Sequence, residues 1–190
     1  MQTIKVTLTG VSPMMMHNAR FANPLDPATK AHKALTGKRK KTDEDHEAIA
    51  YSEWCGALYH DKEIGPYVPA NWVESMLIES SKGQKLGKKF KSAVMVVEDK
   101  VKVEYDGPRD IKGMFKNPAF VDVRSVKVQQ ARLQRCRPIF DQWKLNLSVA
   151  FNPAVVEERE VIKALEDGGQ LVGLGDYRPR FGKFEVKVRK

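Results

Sequence analysis

The sequence has few cysteines and no long apolar run. Its 190 residues contain two cysteines, Cys55 and Cys136, which are too few for a disulfide framework and are not spaced as a zinc knuckle. No apolar stretch approaches the roughly 20 residues that cross a bilayer, and the N-terminal residues alternate instead of forming a signal peptide. We therefore expect a cytoplasmic protein with no membrane contact that folds as a single domain over residues 1–190.

The sequence also lacks the common motifs of metal, nucleotide and acyl-transfer sites. It has no HExxH, no Gly-Lys-Ser/Thr after a glycine-rich loop and no Ser-His-Asp order. His46 and His60 are too far apart on a predicted helix to form a ligand pair. We predict no metal and no cofactor, and the sequence favours a binding protein over an enzyme.

Acidic residues are outnumbered by basic ones. The chain has 33 Lys and Arg against 24 Asp and Glu, which gives a formal charge of +9. A positive potential of this kind attracts polyanions, so nucleic acid is the leading partner. The alternative is a basic surface with no particular partner.

Alternating patterns predict strands at both ends of the chain. Ile4, Val6 and Leu8 share one face of a first strand, and the last strand starts at Phe184. Between them, the patterns predict helices in 43–61, 70–83 and 152–168, two short strands paired with each other in 91–107, and further strands in 120–130 and 142–151. This order predicts an α+β fold with a ferredoxin-like (RRM-like) βαββαβ sheet and both main helices on one face.

Regular periodicity disappears after the first strand. Residues 11–42 contain Pro13, Pro24 and Pro27 and end in a cluster of lysines. We predict a long, mobile, basic loop here, followed by a helix, so that residues 11–62 are an insertion into the sheet domain. The run Met14 to Met16 either offers flexible apolar surface to a partner or continues the core.

A glycine-rich, basic loop precedes the last strand in the sequence "LVGLGDYRPRFGKFEVKV" (171–188). Glycine lets a backbone approach a phosphate and present its amide hydrogens, while arginine can grip two phosphate oxygens. The nucleic-acid-binding candidates in this loop are Gly173, Gly175, Arg178, Arg180, Gly182 and Lys183. The alternative is an ordinary helix-to-strand connection.

A second basic stretch, "RLQRCRPIFDQW" (132–143), mixes cations with aromatic rings. Single-stranded nucleic acid favours this composition, because phosphates bind the cations and bases stack on the rings. Arg137 is therefore a further nucleic-acid-binding candidate. The alternative is a charged edge strand with Trp143 in the core.

Two of these segments resemble a known family. The sequence "LVGLGDYRPRFGKFEV" resembles the glycine-rich loop of the RAMP superfamily, the ferredoxin-like RNA-binding subunits and crRNA-processing proteins of CRISPR systems. The sequence "GPYVPANWVESMLIES" (65–80) resembles the family's entry to its first helix, although Ala70, Asn71 and Glu74 depart from the usual residues. In the family both segments contact the RNA backbone, so the resemblance implies that Asn71 is a further contact.

The resemblance also implies partners and a role. It implies a backbone-type subunit of a CRISPR effector in antiviral defence, which oligomerises along guide RNA with copies of itself or with other subunits. The insertion after the first strand would be the thumb of such a subunit.

The same resemblance supplies two catalytic candidates. Processing nucleases of the superfamily often use a histidine with the glycine-rich loop, which points to His17 with Arg178 or Arg180. Some backbone subunits cut target RNA with an aspartate near the thumb, and Asp26 is the nearest by position. Three interpretations stay open: a protein that binds single-stranded RNA or single-stranded DNA, a metal-independent endoribonuclease, and a protein-binding inhibitor or decoy with a RAMP fold.

Overall fold

The computed structural model describes residues 1–128 and 131–189 as a mixed α/β protein with antiparallel sheets. The strands are β1 (Gln2–Gly10), β2 (Met14–Met15), β3 (His60–Asp61), β4 (Gly65–Pro69), β5 (Val94–Val96), β6 (Lys100–Glu104), β7 (Val121–Val128), β8 (Ala131–Phe140), β9 (Lys144–Phe151) and β10 (Phe184–Arg189). The α-helices are α1 (Pro27–Thr36), α2 (Asp43–Ala57), α3 (Ala70–Ser80), α4 (Gly87–Ala93), α5 (Ile111–Lys116) and α6 (Glu158–Asp167).

The chain divides into two compact units. Unit 1 comprises Met1–Met15, His60–Asp106 and Asp141–Lys190, and unit 2 comprises Met16–Tyr59 and Gly107–Phe140. The first segment of unit 2 lies within the insertion predicted at 11–62, whereas the second segment was not part of that prediction.

Unit 1 is built on an antiparallel sheet in the order β10-β1-β9-β6-β4-β3. The strand β1 lies between β9 and β10, and its Val6 is opposite Leu147 on one side and Val188 on the other. Val6 and Leu8 are fully buried, as the two-residue alternation predicts for the core side of a strand. The strands predicted at the two ends of the chain are therefore confirmed.

The helices α3 and α6 pack together in unit 1. The Ser80 hydroxyl at the end of α3 donates to the Ala164 carbonyl of α6 at 2.7 Å, and Met76 lies against Gly168. The Glu74 carboxylate accepts a hydrogen bond from the Val96 amide of β5 at 3.0 Å. Glu74 therefore ties α3 to the sheet.

Two predictions about unit 1 are wrong: the pairing of two strands with each other and the start of one helix. The strands β5 and β6 do not form a hairpin, because each pairs with β9. The helix α6 begins at Glu158 instead of directly after Asn152, because the Glu157 amide donates to the Glu160 carboxylate at 2.8 Å and caps the helix there. The Asn152 side chain instead accepts from the Ala154 amide in a turn.

Unit 2 combines helices with the antiparallel strands β7 and β8, which pair with each other. Trp54 of α2 is fully buried, and its indole donates to the Phe120 carbonyl at 2.8 Å. The ring of Phe21 packs on Gly56 and stacks on His32 with centroids 4.6 Å apart. Large aromatic side chains therefore fill this core.

The loop predicted at 11–42 is partly regular. Residues Pro27–Thr36 form α1, because the Asp26 carboxylate caps the helix and Pro27 occupies its first turn, where a missing amide hydrogen has no cost. The residues Met14, Met15 and Met16 are fully buried. They continue the core, which was one of the two interpretations, and they offer no apolar surface to a partner.

Candidate nucleic-acid interface

The loop between α6 and β10 is fastened to the segment that follows β1. The Gly182 amide donates to the Pro13 carbonyl at 2.7 Å, and the Asp176 amide donates to the Met15 carbonyl at 2.8 Å. The Lys183 amide donates to the side chain of Ser12 at 2.9 Å. The part of the loop that carries Arg178 and Arg180, residues 176–183, is therefore held at both of its ends by hydrogen bonds within unit 1.

The three glycines shape this loop. Gly173, Gly175 and Gly182 have φ values of 79°, 81° and 74°, which L side chains rarely adopt. The Gly173 amide donates to the Gly168 carbonyl at 2.7 Å, and the Gly182 amide is used as described above. Both amides therefore donate to backbone carbonyls within the protein.

The cations stand on the outer side of the loop. Arg178 and Arg180 are exposed, and Lys183 is half-buried. An open pocket of about 560 Å³ is lined by Gly175 and Arg178 together with Glu79 of α3. Lys183 lines a separate depression near α6. The structure therefore brings Gly175 and Arg178 together and places Lys183 in a different pocket.

Asn71 is exposed in the first turn of α3. Glu79 lies near the other end of the same helix, about 12 Å further along the axis at 1.5 Å per residue. The structure thus places Asn71 away from the pocket beside Arg178. A strand that touched both would have to run along α3.

His17 and Arg137 share a cavity of about 290 Å³ within unit 2. Glu53 and Arg135 also line this cavity, and the Glu53 carboxylate accepts from the Arg135 guanidinium at 2.8 Å and from the Cys136 amide at 3.0 Å. Sequence reasoning paired His17 with the loop of unit 1 and missed this grouping. The alternation along β8 could have predicted that Arg135 and Arg137 lie together, because it places both on one face of the strand.

Asp26, the second catalytic candidate, has a structural role. Its carboxylate accepts a hydrogen bond from the Ala28 amide at 2.8 Å as the N-cap of α1. The cysteines are poor nucleophiles, because burial raises the pKa of Cys55 and raises that of Cys136 to about 12.

The part of the chain that the structure describes contains no candidate metal site and no candidate membrane span. No group of three or more His, Cys, Asp or Glu in 1–128 and 131–189 could hold a metal ion. Within the same ranges, no helix has the length and apolarity that a membrane crossing requires.

Comparison with known proteins finds a weak likeness among solved structures. No family model matches the chain, and no curated protein matches it. Among solved structures, the chain is similar to one in "Cryo-EM structure of the Type III-B Cmr-beta bound to cognate target RNA", at 12% identity and a TM-score of 0.37. The alignment covers 100% of this chain and 60% of that one. A likeness of this size determines neither fold nor function.

Proposed function

We propose that this protein binds single-stranded RNA through its phosphate backbone, with Arg178 and Arg180 as the principal contacts. The observation that carries the proposal is that Arg178 and Arg180 are exposed on a segment, residues 176–183, whose two ends are already held by hydrogen bonds. A fastened loop loses little conformational entropy on binding, so more of the interaction energy appears as affinity. Each guanidinium can grip two phosphate oxygens.

The finer fold assignment belongs to the same proposal. In a ferredoxin-like βαββαβ sheet the first strand lies between the third and the last, and the second strand follows the third. The order β10-β1-β9-β6, with α3 and α6 packed together, supports this assignment. We assign unit 2 as the thumb-like insertion because its first segment follows β1.

Asn71, Gly175, Arg137 and Lys183 are proposed as additional contacts. Asn71 is exposed, and Arg137 and Lys183 add positive charge to their own pockets. These contacts would recognise the sugar-phosphate backbone, which single-stranded DNA shares in part, so RNA and DNA of one sequence must be compared directly.

The test measures the affinity of labelled single-stranded RNA of two unrelated sequences. We expect Arg178→Ala/Arg180→Ala to weaken binding of both sequences about tenfold or more, because two charge-assisted hydrogen-bonding groups are lost. The matched control is Lys88→Ala/Lys89→Ala, which removes two exposed cations from α4 of the same unit. Equal losses for the two double variants, or no loss for the first, would contradict the proposal.

Assembly is tested on the purified protein. We propose that copies of the chain, or CRISPR-type subunits with it, line up along the RNA in the cytoplasm. Size-exclusion chromatography with absorbance at 260 and 280 nm should then show a large species that contains nucleic acid. Treatment with ribonuclease should convert this species to a smaller one. A monomer with no nucleic acid and no affinity for added strands would favour the protein-binding inhibitor or decoy instead.

A second candidate function is RNA cleavage by His17. The observation that favours it is the cavity of unit 2, where His17 lies with Arg135 and Arg137. An imidazole can accept the proton of a 2′-hydroxyl, and guanidinium groups can stabilise the charge that develops on the phosphate. Cleavage in EDTA that His17→Ala abolishes would support this function, and intact labelled RNA after long incubation with the wild type would exclude it.

A further inference from the structure

Tyr177 has a backbone conformation that is unusual for its residue type. Its φ is +63°, in the left-handed region that glycine and asparagine tolerate best. The residue is 46% exposed, so burial in the core does not explain why a tyrosine occupies this position. Non-glycine residues held in this region cluster at binding sites, where the side chain is needed in one orientation.

The surroundings of Tyr177 resemble a site for a flat ring. Tyr177 and Leu171 line the pocket of about 560 Å³, and Leu171 is 68% exposed. This volume is within the range of roughly 300–1000 Å³ that small-ligand pockets have. The ring of Phe181 is tilted by 41° at 5.7 Å from that of Tyr177. Phe181 therefore packs beside Tyr177 within the loop, and Tyr177 as a residue is still half exposed.

The charges around the pocket indicate which part of a nucleotide it suits. Two carboxylates, Glu79 and Asp176, line it with a single guanidinium, that of Arg178. Because carboxylates outnumber the guanidinium here, a neutral base suits the inside of the pocket better than a phosphate does, and the phosphates that Arg178 and Gly175 contact would lie at its mouth. Arg178 follows Tyr177 in the chain, which places a phosphate contact next to the aromatic ring.

We propose that Tyr177 is a stacking platform for one nucleobase of the strand whose phosphates Arg178 and Arg180 hold. This inference rests on the proposed function and deepens it, because it assigns one aromatic base contact to a site otherwise made of backbone contacts. Base–aromatic stacking is tolerant of sequence, since every base has a π-face. The platform therefore adds affinity and distinguishes a strand with bases from one without them.

The experiment compares Tyr177→Gly, Tyr177→Asn and Tyr177→Phe with the wild type. The ligands are a labelled single-stranded oligonucleotide and an abasic strand of equal length. We expect Tyr177→Gly and Tyr177→Asn to weaken binding of the ordinary strand about 5- to 100-fold while keeping or raising the midpoint of urea unfolding, because both residues accept a positive φ. Tyr177→Phe keeps the ring and should bind as the wild type does. All four proteins should bind the abasic strand alike.

Three outcomes would overturn the inference. If Tyr177→Gly and Tyr177→Asn keep full affinity while Arg178→Ala/Arg180→Ala loses it, the base platform is wrong and the proposed function stands. If the wild type binds ordinary and abasic strands equally, the platform is wrong whatever the variants do. If the wild type binds neither strand, the inference and the proposed function fail together.

Discussion

Gly182 is the residue on which the shape of the glycine-rich loop depends most directly. Its φ is +74°, and a Cβ at this position would overlap the Leu174 carbonyl oxygen. We expect Gly182→Ala to lower the free energy of unfolding by about 3 kcal/mol, because it combines a strained backbone with a clash that no flexible side chain can relieve. Urea denaturation monitored by circular dichroism measures this loss.

The control for this substitution is Gly83→Ala. A Cβ at Gly83 meets no atom within 4 Å. We expect a change of about 0.5 kcal/mol or less there. A similar loss at both positions would mean that the loop does not depend on a left-handed residue at 182.

Asp61 gives the stability of the protein a dependence on pH. The Lys100 ammonium donates to the Asp61 carboxylate at 2.6 Å and lowers the pKa of Asp61 from 3.8 to about 2. The folded state therefore favours the ionised carboxylate. This contribution is present above pH 4 and is lost as the pH falls from about 4 to about 2.

The variants Asp61→Asn and Lys100→Ala test this dependence. Both remove the ion pair, so both should lose less stability than the wild type between pH 5 and pH 2 in urea unfolding. The carboxamide introduced by Asp61→Asn still has an oxygen for the Glu63 amide, which donates to Asp61 at 2.9 Å, so the turn is kept. If the wild type and both variants followed parallel curves, the ion pair would not stabilise the fold.

Single residues differ in how far the sequence predicts their roles. The glycines of the loop were predictable, because closely spaced glycines before a strand indicate special backbone angles. The left-handed conformation of Tyr177 was not predictable, since the sequence around this residue does not distinguish it from a buried tyrosine. The role of Glu74 was also hidden, because its partner, the Val96 amide, is distant in sequence.

At the scale of elements, Glu53 joins α2 to β8 within unit 2. Its two carboxylate oxygens accept from the Arg135 guanidinium and from the Cys136 amide. We expect Glu53→Ala to lower the free energy of unfolding by about 2 kcal/mol, because a half-buried amide loses its partner in addition to the ion pair. The control is Glu47→Ala on an exposed position of the same helix, with a change of about 0.5 kcal/mol or less. An equal effect of both variants would show that α2 is not held through Glu53.

Elements with a clear hydrophobic period were predicted well, whereas helices whose start depends on cap residues were missed or misplaced. The strand β9 follows from strict alternation. The helix α1 was missed because Pro27 was interpreted as a helix breaker, although a proline in the first turn after an Asp cap favours a helix. The start of α6 was misplaced for a similar reason, because two sets of cap residues compete and the structure uses Glu157.

At the scale of the whole molecule, the sequence shows which residues are cationic but not which of them share a site. His17, Arg135 and Arg137 line one cavity of unit 2, and the sequence did not predict this grouping. The glycine-rich loop belongs to unit 1. Chain order did not reveal this division, because unit 2 is assembled from two segments with a part of unit 1 between them.

The net charge of +9 makes two kinds of binding possible, and the salt dependence of affinity separates them. Diffuse attraction would involve all cations, so the removal of any two should lower the slope of log affinity against log salt by the same amount. Binding through Arg178 and Arg180 predicts instead that their double alanine variant lowers the slope by about 1.4, at about 0.7 per phosphate contact on a single strand. Lys88→Ala/Lys89→Ala, with the same change in net charge, should leave the slope unchanged. Equal slopes for the two double variants would assign the affinity to the overall charge and not to the loop.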